Sequence, residues 1–154
     1  MLDVDLSKLR RGLLAELWYV EIGDYIIDLA WSPAGSKLAA VTVGGSVFLI
    51  EDHGDSAYFK MIGQHAGGAN SLSWRCDGAE FATAGHDGLV KIWDGSSGQD
   101  VTSLEAGASW VSKVLYSPCR NVLATAAGRQ LKLWNEEREA FYESSEHSST
   151  IADV

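Results

Sequence analysis

The stretch ANSLSWRCDGAEFATAGHDGLVKIWDGSSGQDVTSL, residues 69–104, decides the fold because similar segments precede and follow it in the chain. Two other segments align with it: DYIIDLAWSPAGSKLAAVTVGGSVFLIEDHGDSAYFKMI at 24–62 and SWVSKVLYSPCRNVLATAAGRQLKLWNEEREAFYES at 109–144. The aromatic residue that closes the first strand falls at Trp31, Trp74 and Tyr116, at spacings of 43 and 42 residues. A period of this size predicts one supersecondary unit, stacked so that neighbouring units bury each other's apolar faces.

Each unit contains four short apolar runs separated by turn residues. In the second unit the runs are roughly 69–74, 80–84, 89–93 and 101–104, and Asp-Gly pairs at 77–78 and 87–88 lie between them. Asp-Gly favours the tight turns of β-hairpins, since glycine adopts a positive φ without strain. The small apolar runs FATA at 81–84 and LATA at 123–126 suit a sheet that is covered on both faces. The expected fold is all-β, with four antiparallel strands in each unit.

The segment GHDGLVKIWD at 85–94 resembles the WD-repeat signature, and AWSPAG at 30–35 and His65 extend the match. Over roughly residues 20–154 the chain is similar to WD-repeat β-propellers, in which each repeat is one blade. The resemblance implies a partial β-propeller of about three four-stranded antiparallel blades plus terminal fragments. The implied parts are an N-terminal segment with an outer strand at 1–23, blades at 24–64, 65–106 and 107–146, and a truncated fourth blade at 147–154.

Propellers have about four to eight blades, so three blades imply an incomplete ring. We expect a piece of a larger propeller, and the alternative is that two or more chains together close a ring. At the N-terminus, leucines from Leu6 to Leu17 have helical spacing. A strand over Leu14–Val20 is the other interpretation, and we favour it because the resemblance implies that an N-terminal strand completes the last blade.

In WD-repeat proteins, a histidine, a serine or threonine, an aspartate and a tryptophan form a buried hydrogen-bond relay within a blade. Carried over to the second repeat, these residues are His65, Thr83, Asp87 and Trp93. The third repeat keeps only the threonine and the tryptophan, at Thr125 and Trp134, with Gly107 in place of the histidine. The first repeat has none of the four, and its matching residues are Ile22, Ala40, Gly44 and Ile50. A catalytic Ser/His/Asp-type set is disfavoured, because the threonine would be buried in a strand.

Composition argues against several classes of protein. The chain of 154 residues has 21 Asp and Glu against 12 Lys and Arg, a net charge of −9, and its basic residues do not cluster beyond Arg10-Arg11. We therefore expect no nucleic-acid partner. No apolar run approaches 18 residues, so no membrane span is expected. The four histidines, His53, His65, His86 and His147, lack metal-ligand spacing, and we expect neither a metal nor a cofactor.

The two cysteines, Cys76 and Cys119, lie at the first hairpins of successive repeats. Neighbouring blades would hold them too far apart for a disulfide. Reduced thiols fit an intracellular protein, which we expect to be cytoplasmic without excluding the nucleus.

The resemblance implies a non-catalytic scaffold that binds other proteins or peptides. The alternatives are a regulatory propeller module of a larger enzyme and a propeller enzyme whose site lies outside this segment. Bare blade edges also favour self-association. In the family, the residue just before the innermost strand lies at the rim of the top face, and here it is Tyr25, Gly68 or Trp110. Tyr and Trp are enriched in binding hot spots, so Tyr25 and Trp110, followed by His86, are the expected contacts; packing against a neighbouring blade is an equal alternative.

Overall fold

The computed structural model describes residues 16–107 and 110–144, and within these ranges it contains twelve strands and no helix. The strands form three four-stranded antiparallel sheets, each in sequential order. Blade 1 contains β1 (Ile26–Trp31), β2 (Lys37–Thr42), β3 (Ser46–Asp52) and β4 (Ala57–Gln64). Blade 2 contains β5 (Ala69–Trp74), β6 (Glu80–Gly85), β7 (Leu89–Asp94) and β8 (Asp100–Glu105). Blade 3 contains β9 (Val111–Tyr116), β10 (Leu123–Ala127), β11 (Gln130–Trp134) and β12 (Ala140–Ser144).

The three sheets do not close into a ring, so the predicted all-β partial propeller is confirmed. Because the strands run antiparallel, alternate turns lie at the same end of each sheet. We call the end with the β2–β3, β6–β7 and β10–β11 turns and the links between blades the top face. The remaining hairpins form the bottom face. The expected start of a fourth blade at 147–154 lies outside the described residues.

The predicted Asp-Gly turns close the hairpins of blade 2. Gly78 and Gly88 have φ values of 73° and 77°, in the left-handed region that glycine tolerates best. In each turn the preceding aspartate accepts a hydrogen bond from the backbone two residues on. Asp77 Oδ1 accepts from Ala79 N at 2.9 Å, and Asp87 Oδ1 accepts from Leu89 N at 3.2 Å. The sequence at these turns therefore fixes the strand register on either side of them.

Each blade has a front face and a back face, defined by the strand register. In blade 2, Trp74 pairs with Phe81 and Phe81 with Trp93, so the three rings share the front face. The ring centroids of Trp74 and Phe81 are 4.6 Å apart. The front face of blade 2 packs on the back face of blade 1, where Val41, Leu49 and their neighbours are fully buried. The front face of blade 3 packs on the back face of blade 2 in the same manner.

Hydrogen bonds link each blade to the next across these apolar interfaces. The indole Nε1 of Trp74 donates to the carbonyl oxygen of Ala30 at 3.0 Å. Two residues before Trp74 on the same strand, Leu72 N donates to Asp28 Oδ2 at 2.9 Å. These bonds satisfy polar groups at the interface. Each such group, if it were buried without a partner, would cost about 1–3 kcal/mol of stability. The apolar contact drives the stacking of blades, and the hydrogen bonds fix its alignment.

The expected N-terminal strand is wrong over residues 16–20, which form neither strand nor helix; residues 14 and 15 lie outside the described ranges. Trp18 Nε1 donates to Asp52 Oδ1 at 2.9 Å near the bottom of blade 1, and Gly44 N donates to Asp24 Oδ2 at 2.8 Å at its top. The segment between them therefore crosses blade 1 from end to end. Its burial alternates with period two, as in a strand, but it forms no ladder with any of the described strands.

The front face of blade 1 is much more exposed than its counterparts. Trp31 is 46% exposed, whereas Trp74, at the same position of blade 2, is 8% exposed. Leu29 is likewise exposed, whereas its equivalent Leu72 is buried. The difference arises because no described blade packs in front of blade 1.

Gly63, in β4, provides a test of the contact between blades 1 and 2. A Cβ at this position would lie 2.3 Å from the ring of Trp93, which is only 1% exposed. We expect Gly63→Ala to lower the free energy of unfolding by about 1–3 kcal/mol, the usual cost of overpacking a core. Gly23→Ala is the matched control, because a Cβ there meets nothing within 4 Å. Urea unfolding measures both variants, and equal losses would contradict the packing of β4 against Trp93.

Candidate functional site

Four side chains form a hydrogen-bonded chain inside blade 2, close to the top face. His65 follows β4, Thr83 lies on β6, Asp87 lies in the β6–β7 turn and Trp93 lies on β7. Trp93 Nε1 donates to Thr83 Oγ1 at 2.8 Å, and Thr83 Oγ1 lies 2.8 Å from His65 Nε2. His65 Nδ1 lies 3.0 Å and 3.1 Å from the two oxygens of Asp87. The structure thus brings together all four residues that the sequence singled out as a relay.

The electrostatics of the relay fix the direction of its hydrogen bonds. Burial lowers the pKa of His65 and outweighs the opposing hydrogen bond with Asp87. Burial alone would raise the pKa of Asp87, but hydrogen bonds from His65, Ala66 N and Leu89 N hold that pKa below its usual range. A neutral imidazole therefore donates from Nδ1 to an ionised carboxylate and accepts the Thr83 hydroxyl proton at Nε2. Every polar atom of the set is engaged in holding the fold.

The other two blades stabilise the same region by different means. In blade 3, Trp134 Nε1 donates to Thr125 Oγ1 at 3.0 Å, which is the relay without its histidine and aspartate. In blade 1, Asp24 Oδ2 accepts from Gly44 N at 2.8 Å and Asp24 Oδ1 accepts from Tyr25 N at 2.8 Å. These hydrogen bonds, chiefly that from Gly44, lower the pKa of Asp24. Sequence reasoning missed this role, because no motif marks Asp24 apart from its place before β1.

Two of the three expected contact residues meet on the top face. The rings of His86 and Trp110 are stacked, with centroids 4.4 Å apart and an interplanar angle of 14°. Trp110 is 63% exposed despite this contact. Gly68 explains how the stack fits, since a Cβ there would lie 3.0 Å from His86 Nδ1. The ring of His86 thus lies beside the position that, in blades 1 and 3, carries an aromatic side chain.

Asn70, which sequence reasoning also missed, holds the histidine of this stack. Asn70 Nδ2 donates to the carbonyl oxygen of Val111 at 2.9 Å, so its Oδ1 faces His86 Nε2, also at 2.9 Å. Because Oδ1 can only accept, His86 donates from Nε2. Asn70 and His86 belong to blade 2, whereas Val111 and Trp110 belong to blade 3 or the link before it. The stack therefore lies across the junction of two blades.

Tyr25 lies apart from the stack, on the top face of blade 1. It is 82% exposed, and its backbone N is held by Asp24. The structure therefore brings His86 and Trp110 together but leaves Tyr25 one blade away from His86.

At the bottom face, Glu80 forms an ionic network that joins blades 2 and 3. Its carboxylate lies 2.8 Å from Arg138 Nη2 and 3.3 Å from Arg75 Nη1. Arg138 has a φ of 66°, the single positive φ found for a residue other than glycine in the described ranges. Burial, followed by the charge of Glu80, raises the pKa of Tyr116 beside this network. The cavity there measures only about 20 Å³, whereas sites for organic ligands are about 300–1,000 Å³.

Residues 16–107 and 110–144 contain no group of three or more His, Cys, Asp and Glu side chains arranged to hold a metal ion. They also contain no helix with the length and apolar character needed to cross a membrane.

The family model described as WD domain, G-beta repeat matches residues 58–94 and 98–135. Those two matches cover most of blades 2 and 3 and the outer strand of blade 1. The chain belongs to the WD-repeat β-propeller family. The resemblance stated from GHDGLVKIWD is thus confirmed.

Other WD-repeat and related proteins resemble the chain over part of their length. The Small ribosomal subunit protein RACK1 of Glycine max is 33% identical over 79 residues, which are 51% of this chain and 24% of that protein. The Protein transport protein sec13 of Aspergillus clavatus is 28% identical over 134 residues, covering 71% of this chain and 45% of that protein. The chain thus spans less than half the length of either relative.

Solved propellers show the same fold at low sequence identity. The "Structure of U3-55K" matches with a TM-score of 0.78 and 17% identity, over 85% of this chain and 42% of that chain. The "Crystal structure of WD40 beta propeller domain of Doa1" matches with a TM-score of 0.74 and 17% identity, over 85% of this chain and 44% of that chain. At this identity the likeness establishes the fold alone.

The relay of this WD-repeat chain can be tested with two matched substitutions, Thr83→Val and Thr125→Val. Removal of the Thr83 hydroxyl leaves two buried nitrogens, on His65 and Trp93, without a partner. Removal of the Thr125 hydroxyl leaves only the Trp134 nitrogen. At about 1–3 kcal/mol for each unpaired group, Thr83→Val should be the more destabilising by that amount. Thermal and urea unfolding compare them, and equal losses would argue against the His65–Thr83 bond.

The relay also predicts how stability depends on pH. The folded chain keeps His65 neutral, whereas the unfolded imidazole takes up a proton near its ordinary pKa of 6.5. Stability from His65 is therefore complete above that pH and is lost as the pH falls below it, by at most about 1.4 kcal/mol per pH unit. The free energy of unfolding, measured with urea over about three pH units from about pH 8 to about pH 5, should show this loss. His65→Gln should remove it and the exposed control His53→Gln should retain it; an unchanged slope in His65→Gln would disprove the assignment.

Proposed function

We propose that this chain is a non-catalytic WD-repeat scaffold that binds other proteins or peptides through its top face. The observation that carries the proposal is Trp110, a large aromatic side chain that is 63% exposed yet held in place by its stack on His86. Aromatic residues on rigid supports are typical anchors of protein interfaces, because little conformational entropy is lost when they bind. Tyr25 provides a second exposed aromatic residue on the same face.

The chemistry of the relay supports the non-catalytic part of the proposal. His65 and Thr83 are both fully buried, so no substrate reaches them. The Thr83 oxygen already accepts from Trp93, and the Asp87 carboxylate is engaged by two backbone N–H groups as well as by His65. A catalytic set needs a nucleophile that is open to a reacting atom and donors for the charge that develops. These residues instead stabilise the turn beneath the top face.

The uncovered front face of blade 1 supports a role as part of a larger propeller. Trp31 and Leu29 occupy positions that are buried in blade 2 by contact with the preceding blade. A further blade, from the same protein or from another copy through the exposed blade edges, would remove this apolar surface from water. A regulatory propeller module of a larger enzyme has the same requirement, and it would use the same top face.

We further propose a cytoplasmic location, with no nucleic-acid or membrane partner. The net charge of −9 supports the former exclusion, since a nucleic-acid site needs a basic surface. Cys76 and Cys119 are exposed free thiols, which suit a reducing compartment. One similar protein is named as a component of the small ribosomal subunit.

Affinity capture with the tagged chain tests the top-face assignment. The Tyr25→Ala, Trp110→Ala double variant removes both exposed aromatic side chains, and we expect it to lose partners that the wild type retains by at least about tenfold, as hot-spot truncations do. The control is Tyr58→Ala, Phe141→Ala, which removes comparably exposed rings from the outer strands β4 and β12.

Thermal unfolding verifies that both double variants are folded. Retention of every partner by the top-face variant would disprove the assignment. Loss of partners by the outer-strand control alone would move the contact surface to the blade edges.

A further inference from the structure

We propose that the open face of Trp110 is a binding site for a cationic side chain, arginine or lysine, of the partner. This inference rests on the proposed function and names the chemical class that the top face recognises. Its basis is the His86–Trp110 stack, the support beneath it and the acidic character of the surrounding chain.

The indole of Trp110 has one covered face and one face available for a ligand. His86 lies parallel to the indole at 4.4 Å and covers the first face. With 63% of the residue exposed, the second face remains in contact with water. The π-face of an aromatic ring carries partial negative charge, and tryptophan attracts cations more strongly than tyrosine or phenylalanine does. An exposed indole held flat against a second ring therefore presents a fixed surface for an ammonium or guanidinium group.

The support of the stack is a chain of hydrogen bonds that reaches the backbone of the next blade. His86 Nε2 donates to Asn70 Oδ1, and Asn70 Nδ2 donates to the Val111 carbonyl oxygen, each at 2.9 Å. Gly68 makes room for the imidazole, since its missing Cβ would lie 3.0 Å from His86 Nδ1. Three residues of blade 2 thus fix one aromatic residue that precedes β9. Such fixing reduces the entropy lost when a ligand settles on the indole.

Charge favours a cation over a neutral or anionic group on this surface. The whole chain carries a net charge of −9, which attracts basic partners at a distance. Near the stack, the hydrogen bonds from His65 and two backbone N–H groups keep Asp87, the neighbour of His86, ionised. Glu105, exposed at the end of β8, pairs with Leu89 next to the same turn. Lys91 on β7 carries a positive charge, but its ammonium is engaged in a hydrogen bond to the Gln64 carbonyl oxygen at 2.7 Å.

The test uses three short blocked peptides as probes: acetyl-Gly-Arg-Gly-amide, acetyl-Gly-Lys-Gly-amide and the citrulline analogue of the first. Citrulline keeps the shape of arginine but lacks its charge. Each peptide is titrated into the full chain, and NMR follows the indole N–H resonances, assigned through the tryptophan variants. We expect saturable shifts of the Trp110 resonance with arginine and lysine, and affinity at least about fivefold weaker for citrulline, equivalent to about 1 kcal/mol. The preference should diminish as salt is added.

The variants distinguish the role of the Trp110 indole from that of its support, His86, and from that of other exposed tryptophans. Trp110→Leu keeps an apolar side chain but removes the π-face, and it should abolish binding of the arginine peptide. Trp110→Phe should retain part of it, and His86→Ala should weaken it severalfold by releasing the indole. Trp31→Leu is the matched control, since Trp31 is also exposed but lies on the front face of blade 1. This substitution should leave the affinity for the arginine peptide unchanged.

The outcomes distinguish this inference from the proposed function. Equal binding of the arginine and citrulline peptides, or arginine binding that survives Trp110→Leu, would overturn the cation site. If the top-face double variant still loses its captured partners in that case, the scaffold proposal stands without it. If neither the peptide titration nor partner capture responds to Trp110, both proposals fail.

Discussion

The structure depends on one constraint: a four-stranded blade cannot cover its own apolar faces. Trp74 illustrates the consequence, because its ring is buried only where the back face of blade 1 reaches it, and its indole nitrogen is satisfied only by the Ala30 carbonyl oxygen. Stability is therefore shared between neighbouring blades rather than held within one. At Trp31, in front of which no described blade packs, the same kind of residue remains exposed. Every other feature of the molecule, including its top face, is built on this stacking.

The three blades solve the problem of their top turns in three ways. Blade 2 buries a full hydrogen-bond relay, in which a neutral His65 joins the Asp87 carboxylate to the Thr83 hydroxyl. Blade 3 keeps only the bond from tryptophan to threonine, and blade 1 uses the Asp24 carboxylate to hold backbone N–H groups. The relay residue Asp87 also directly follows His86 in the β6–β7 turn, so the turn that the relay stabilises carries the ring on which Trp110 stacks. Rigidity inside the blade and presentation of an aromatic surface outside it are thus linked through the Asp87 turn.

The sequence by itself determined the repeat and the all-β class, and its resemblance to WD repeats indicated the four relay residues. The repeat and the fold class depend on local rules: a period near 42 residues sets the unit, and Asp-Gly pairs set the hairpins. Glycine at 78 and 88 needs no tertiary information to predict a turn, and both residues adopt the positive φ that such turns require. The strand expected over residues 16–20 instead followed from the resemblance to propellers whose N-terminal strand completes the last blade, and these residues pair with no described strand.

Only the tertiary structure decided which surface residues act together. His86 and Trp110 are 24 positions apart and belong to different blades, and their stacking depends on Gly68 having no side chain and on Asn70 reaching the Val111 carbonyl oxygen. The Glu80 network likewise joins Arg75 to Arg138 across a blade junction that no local pattern describes. A repeat pattern specifies each blade separately, whereas the angle and register between blades arise from packing. Contacts across that junction therefore become visible only after the blades are stacked.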